Sequence, residues 1–184
     1  MYRTTSAAIA ALAFVATLVI SPLTAQAQSF PGDTTGGPTW NRPVEGAPPT
    51  PPTSGVGTAV PYETISFTVD VSGPYAFNSI AAAIPVDPWD NYAFLYQNSF
   101  NPTDQFTNVI VGNDDFPNIG TAGFSSINLT AGTTYIFVST GFANDDFGPY
   151  LLEIGGPGTA SVPEPTTLVA AAGLGLVALR RRRA

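Results

Sequence analysis

The chain contains no cysteine, no histidine and no lysine, and four of its six arginines are Arg180, Arg181, Arg182 and Arg183 at its end. Without cysteine there is no disulfide framework, no thiolate nucleophile, no Cys-type metal site and no thiol to carry a lipid anchor. Without histidine the commonest neutral-pH acid/base and the usual transition-metal ligand are missing. These absences point to a protein that is not an enzyme. Positive charge is scarce: thirteen acids stand against six arginines, for a net charge of −7. Arg3 and the terminal four arginines lie in segments expected to be trimmed, which leaves Arg42 alone in an acidic body. Such a body repels phosphate backbones, so nucleic acid is excluded as a partner.

Long hydrophobic runs occur only near the two ends. After "MYRTTS" comes the fourteen-residue run "AAIAALAFVATLVI", followed by "SPLTAQAQ" with Ala25 and Ala27 in an A-x-A arrangement. This pattern is a secretory signal peptide over residues 1–27, cut by signal peptidase after Ala27. The competing reading, an uncleaved anchor, is disfavoured because the run is shorter than the ~20 residues a full span needs. A second run extends from Thr166 to Leu179 and ends on the arginine cluster. As a helix it would span about 21 Å at 1.5 Å per residue, short of the ~30 Å hydrocarbon core. Arginine stems that snorkel outward make up the difference. Arginines after an apolar run stay cytoplasmic, so Arg180 to Arg183 act as a stop-transfer latch and everything before them faces outward.

Just upstream stand Pro163, Glu164 and Pro165. "VPEP", a short apolar helix over about residues 166–179 and a terminal arginine cluster, in that order, resemble the PEP-CTERM sorting signal of Gram-negative, exopolysaccharide-producing bacteria. The resemblance covers about the last 23 residues, within an expected sorting segment over 157–184. It implies an exosortase as partner, a membrane protease and transpeptidase acting near the Pro-Glu-Pro, with the inner membrane as a transient host. The residues agree, because two prolines hold the motif extended and free of backbone pairing, as a protease cleft requires. A permanent one-helix anchor with an accidental Pro-Glu-Pro is the alternative.

Residues 28–58 hold seven prolines and six glycines, including "GAPPTPPTSG", and read in part as a linker. Trp40 works against that reading, since so large a ring gains by capping the edge of a neighbouring domain. From 59 to 156 the pattern changes. "ETISFTVDV" alternates Ile65, Phe67, Val69 and Val71 with polar neighbours, the period of a half-buried strand, and six similar runs follow between Gly, Pro, Asn and Asp. The expected fold is all-β, a single antiparallel β-sandwich or jelly roll, with Phe67, Leu95, Val109, Ile136, Val138 and Leu152 facing inward. "WDNYAFLYQNSFNP", "NVIVGNDDF", "INLTAGTTYIFVSTGF" and "GPYLLEI", over Val60 to Ile154, resemble in order the bacterial pre-peptidase C-terminal domain. That family is a β-sandwich, often appended to secreted hydrolases and assigned targeting or binding roles; here no catalytic domain precedes it.

"GNDDFPNIG" and "ANDDFGPY" share Asn-Asp-Asp-Phe. Adjacent carboxylates are hard ligands of the kind calcium takes, so Asp114, Asp115, Asp145 and Asp146 are the candidate ligands of one shared ion, and calcium is the candidate cofactor. The alternative is turn chemistry, each Asp bonding its own backbone with phenylalanine packed behind. Asp87, Asp90 and Asp104 are further loop acids. Six tyrosines (Tyr62, Tyr75, Tyr92, Tyr96, Tyr135 and Tyr150) offer either a sugar-stacking face or core positions with the hydroxyl reaching water. Asn128 matches a glycosylation sequon and reads as a hairpin residue. The reading is an exported cell-surface or extracellular-matrix protein with a structural or binding role, extracellular polysaccharide being a candidate partner. The alternative is a secreted hydrolase or hydrolase accessory; nothing in the spacing selects a catalytic carboxylate pair.

Overall fold

The computed structural model describes residues 26–82 and 88–163. Most of the expected signal peptide, including Ala25, together with Asp87, Glu164, Pro165, the helix expected over 166–179 and Arg180 to Arg183, lies outside the described residues. The described chain forms ten strands: β1 (Gln26–Asp33), β2 (Thr39–Trp40), β3 (Val60–Val69), β4 (Gly73–Ala81), β5 (Asn91–Gln97), β6 (Val109–Asn113), β7 (Thr121–Leu129), β8 (Tyr135–Gly141), β9 (Pro149–Gly156) and β10 (Ala160–Ser161). They pair antiparallel in two sheets, ordered β1-β9-β4-β7 and β10-β3-β8-β5-β6, with β2 added on β3. The all-β antiparallel expectation holds.

Alternation places the first core. β4 turns Tyr75, Phe77, Ser79 and Ala81 to one side, and β9 does the same with Tyr150, Leu152 and Ile154. These meet Phe67, Leu95 and Phe137 of the other sheet in one cluster, where the Phe77 and Phe137 rings stack at 6.2 Å. β3 continues the expected alternation through Phe67 and Val69, but Val71 lies beyond the strand and is exposed.

β5 and β8 do not alternate. "NYAFLY" and "YIFVSTG" are buried at every position, because both faces of these central strands are covered. The second face carries its own cluster of Trp40, Val60, Tyr92, Phe94, Tyr96, Val109, Ile136 and Val138. The six expected core residues are therefore all buried but divide between two layers, with Phe67, Leu95 and Leu152 between the sheets and Val109, Ile136 and Val138 outside them.

The cover on that outer face is the segment expected in part to be a linker. Parts of residues 28–58 pack against the sheets: β1 runs the length of β9, Trp40 is 3% exposed, and its indole Nε1 donates to Thr140 Oγ1 at 3.1 Å. Trp40 meets Phe94 and Phe100 edge-on at 5.3 and 5.2 Å. The proline-rich part beyond it is held by Gly46 and Gly112, which exchange backbone hydrogen bonds of 3.0 and 2.8 Å. A Cβ at Gly112 would collide with the Phe94 ring and come within 3.2 Å of Pro49, so the close approach requires glycine there. Prolines give up donors but keep carbonyls and rings, which suits a covering layer that needs few ladder bonds.

The strands give the molecule two poles. The ends of β1 and β9 at Gln26 and Gly156, the β3–β4 turn and the β7–β8 turn share one pole, where β10 also lies beside Thr68 and Val69. The β4–β5, β6–β7 and β8–β9 connections share the other. Gln26 lies at the first pole, and β10 begins there and runs antiparallel to β3, back toward the second.

Candidate functional site

The three connections of the second pole bring acids together. Asp90 ends the β4–β5 connection, and Asp114 and Asp115 open the β6–β7 loop. One carboxylate oxygen from each of the three lies within 4.8 Å of the others. Of the expected ligands Asp114, Asp115, Asp145 and Asp146, the structure groups Asp114 and Asp115 with Asp90 rather than with Asp145 or Asp146. Asp146 is occupied locally, its Oδ2 accepting from the Ala143 backbone N at 2.8 Å, and Asp145 is exposed. Asn144, between them in the turn, binds the covering segment, accepting from Ala59 N at 2.8 Å and donating to Thr58 Oγ1 at 3.1 Å. The second Asn-Asp-Asp-Phe is therefore turn chemistry, while the first leaves its carboxylates free. In neither does phenylalanine pack behind: Phe116 and Phe147 are 38% and 40% exposed.

Next to the acids sits Arg42, 2% exposed and the one cation among the described residues. Its guanidinium makes no use of the acids for hydrogen bonding. Nε donates to Gly141 O at 3.0 Å and Phe142 O at 3.2 Å, Nη1 to Pro43 O at 2.9 Å and Nη2 to Phe142 O at 2.7 Å. The guanidinium carbon lies 4.0 Å from the centre of the Tyr92 ring, a cation–π contact. Arg42, Glu45, Val56, Tyr92, Asp114 and Phe142 line a cleft of about 300 Å³.

The electrostatics follow from burial and crowding. Asp114 Oδ1 and Asp90 Oδ1 are buried without a hydrogen-bond partner. Burial, then the neighbouring Asp90 and Asp115, push Asp114 up to about 7, with Arg42 pulling the other way. Burial also raises Asp90 and Asp146. A carboxyl raised in the folded state binds its proton more tightly there than in the unfolded chain. Stability from Asp114 is therefore full below the unfolded value near 3.8 and declines as pH rises to about 7. After allowance for solvent screening the loss is about 1–2 kcal/mol, or roughly 5 °C of melting temperature between pH 5 and pH 8. Asp114→Asn flattens that slope; a melting temperature equally steep in pH with and without Asp114 contradicts the assignment. Calcium at millimolar concentration in the pH 8 melts reads the cation expectation, and no shift there leaves the acids to protonation alone.

Of the tyrosines, Tyr75, Tyr92, Tyr96, Tyr135 and Tyr150 are buried, so no sugar-stacking face is built from them. Tyr75 and Tyr96 donate to Val71 O and Gln105 O at 2.8 and 2.7 Å, bonds that satisfy their hydroxyls without water. The sequence carried a signal for Arg42, as a lone cation beside Trp40 in an acidic body, but none for its cage of carbonyls, which two separated stretches, Pro43 and Gly141–Phe142, assemble.

The first pole holds the start of the sorting segment. Ser161 is paired with Thr68 in β10, and Val162 and Pro163 follow, exposed. No curated protein matches the chain. Among solved structures, a chain of cowpea mosaic virus top component, naturally occurring empty particles, is similar at 12% identity, with a TM-score of 0.29 over 77% of this chain and 91% of that one. At that score the likeness carries no argument. Nothing supports the expected resemblance of Val60 to Ile154 to pre-peptidase C-terminal domains. The runs that suggested it are strands and tight turns, such as the hairpin at Gly132 with its left-handed φ of 74°, that many sheets share. The PEP-CTERM protein-sorting motif does match, over residues 161–183. That segment marks the chain as carrying the PEP-CTERM sorting signal, the address of a membrane-anchored precursor that an exosortase cleaves and that is exported to the cell surface.

Proposed function

We propose that the chain is a non-enzymatic surface module, sorted by an exosortase and serving a structural or binding role with its second pole. The observation that carries this reading is where the sorting motif starts: Ser161 is paired with Thr68 near the first pole, while the acids, Arg42 and the exposed Phe116, Phe142 and Phe147 stand at the second. A tether that begins near the first pole leaves the second free for contact. Leaving aside the two-residue β2 and β10, one sheet takes the first, eighth, third and sixth long strands and the other the second, seventh, fourth and fifth. This is the strand order of a jelly roll, a sandwich whose end loops are free to vary around a rigid core. Acids and exposed aromatic side chains on such loops suit a surface contact with polymer or protein better than a deep reaction cleft.

Cell fractionation with and without the exosortase, joined to intact mass, tests the sorting. The surface form is expected to begin near Gln28 and to lack Arg180 to Arg183. Surface material whose mass retains the four arginines overturns the sorting while leaving export intact. Replacing Pro163 and Pro165 with alanine is expected to leave precursor in the inner membrane.

A further inference from the structure

The matched sorting motif begins at residue 161, and that residue is already engaged in the fold. Ser161 and Ala160 pair with Thr68 and Val69 as β10, and Ala160 is 3% exposed, packed into the inter-sheet core. The approach to β10 is pinned twice by Asp70: its Oδ1 accepts from Thr159 N at 2.6 Å, and its backbone N donates to Thr159 O at 3.2 Å. A third tie comes from the other end of the chain, where the Gln28 side-chain oxygen accepts from Ala160 N. From Ser161 to Pro163 are two residues, at most about 7 Å of extended chain. A protease engages an extended segment on both sides of the bond it cuts, and backbone already laddered into a sheet cannot be laid in a cleft as well.

We propose that β10 is a latch on the sorting signal: exosortase reaches the Pro-Glu-Pro only when β10 peels from β3, so the opening of that two-residue strand sets the rate of sorting. The inference rests on the exosortase reading above. Peeling is a local opening at a sheet margin, far less costly than unfolding, and cleavage of a transiently opened segment follows its open population. Loosening the latch therefore speeds cleavage and fixing it stops cleavage, with the Pro-Glu-Pro itself unchanged.

The test uses the full precursor in proteoliposomes with purified exosortase, cleavage being followed by mass. Asp70→Ala removes the acceptor of Thr159 N, an exposed bond, and is expected to be cut about two- to tenfold faster, the range for losing one ordinary hydrogen bond. Ser161→Cys with Thr68→Cys places a cysteine pair across the register in a chain that has no other cysteine. Oxidised, that precursor is expected to resist cleavage, and reduction is expected to restore the wild-type rate. The same crosslinked pair with a flexible eight-residue Gly-Ser insertion after position 161 frees the motif without freeing β10, and is expected to be cut even when oxidised. Cleavage of the oxidised precursor at the wild-type rate overturns the latch. An uncut insertion variant, with wild type uncut too, overturns the exosortase reading on which the latch stands.

Discussion

Trp40→Ala is expected to lower the free energy of unfolding by about 3–5 kcal/mol, the range for emptying a buried tryptophan site. Trp40 is 3% exposed and touches Tyr62, Phe94 and Phe100, so its removal leaves a cavity on the outer face of the central strands. Phe94 is fully buried and cannot move in to fill it, since its other neighbours are Tyr92 and the close-packed Gly112. Trp40→Phe keeps most of the burial but leaves Thr140 Oγ1 without its indole donor, for a loss nearer 1 kcal/mol. A chain begun at Ala59, where the strand pattern starts, lacks β1, β2 and this cover and is expected to aggregate. Urea melts of the two variants decide the matter: a midpoint for Trp40→Ala equal to that of the wild type would show that Trp40 does not anchor this segment to the sheets.

Why the sequence understated this segment is a matter of pattern. Proline and glycine density reports how a backbone can bend; it does not report whether the backbone is covered. The second half of β3, from Ile65 to Val69, is buried on one side and showed the period-2 pattern plainly. β5 and β8 are covered on both sides, and their unbroken apolar runs were the sign that a third layer existed, yet nothing local says which segment supplies it. The acids illustrate the same limit. Asp114 and Asp115 were legible as a pair because they are adjacent; Asp90 joins them through a connection 24 residues earlier, a distance only the strand order closes. The sorting motif was read nearly whole because its parts lie in line and need no tertiary fold to be recognised.

Arg42→Met is expected to cost about 2–4 kcal/mol despite conserving the length and apolar stem of the side chain. The loss comes from the carbonyls of Pro43, Gly141 and Phe142, which would lose their donors in a part of the molecule largely closed to water. Arg42→Lys recovers little, because a point charge on a flexible stem cannot hold the three carbonyls together or lie flat on Tyr92. Removing the cation also withdraws the one favourable charge from Asp90 and Asp114. Their pKa values rise further, so the decline in stability, which still begins near the unfolded value, grows and extends to higher pH. Thermal melts of Arg42→Met across that range, compared with Arg42→Met/Asp114→Asn, read both effects; an Arg42→Met protein as stable as the wild type would reduce the carbonyl cage to incidental contact.

β1 has a single neighbour, β9, and the side chain of Gln28 reaches Ala160, 132 positions later in the chain. A chain crossing a membrane from its N-terminus delivers β1 to the far side first and its partner nearly last. During that interval β1 is a solitary strand with both rims open, and Pro31 in its middle denies one donor to any stranger that would pair with it. The sheet closes only when β9 has emerged, by which time the next residues in line are those of the sorting segment. Long-range pairing of this kind folds slowly, so the outer edge of this sheet is the last part of the module able to form, and nearly all of the chain must have crossed before it can.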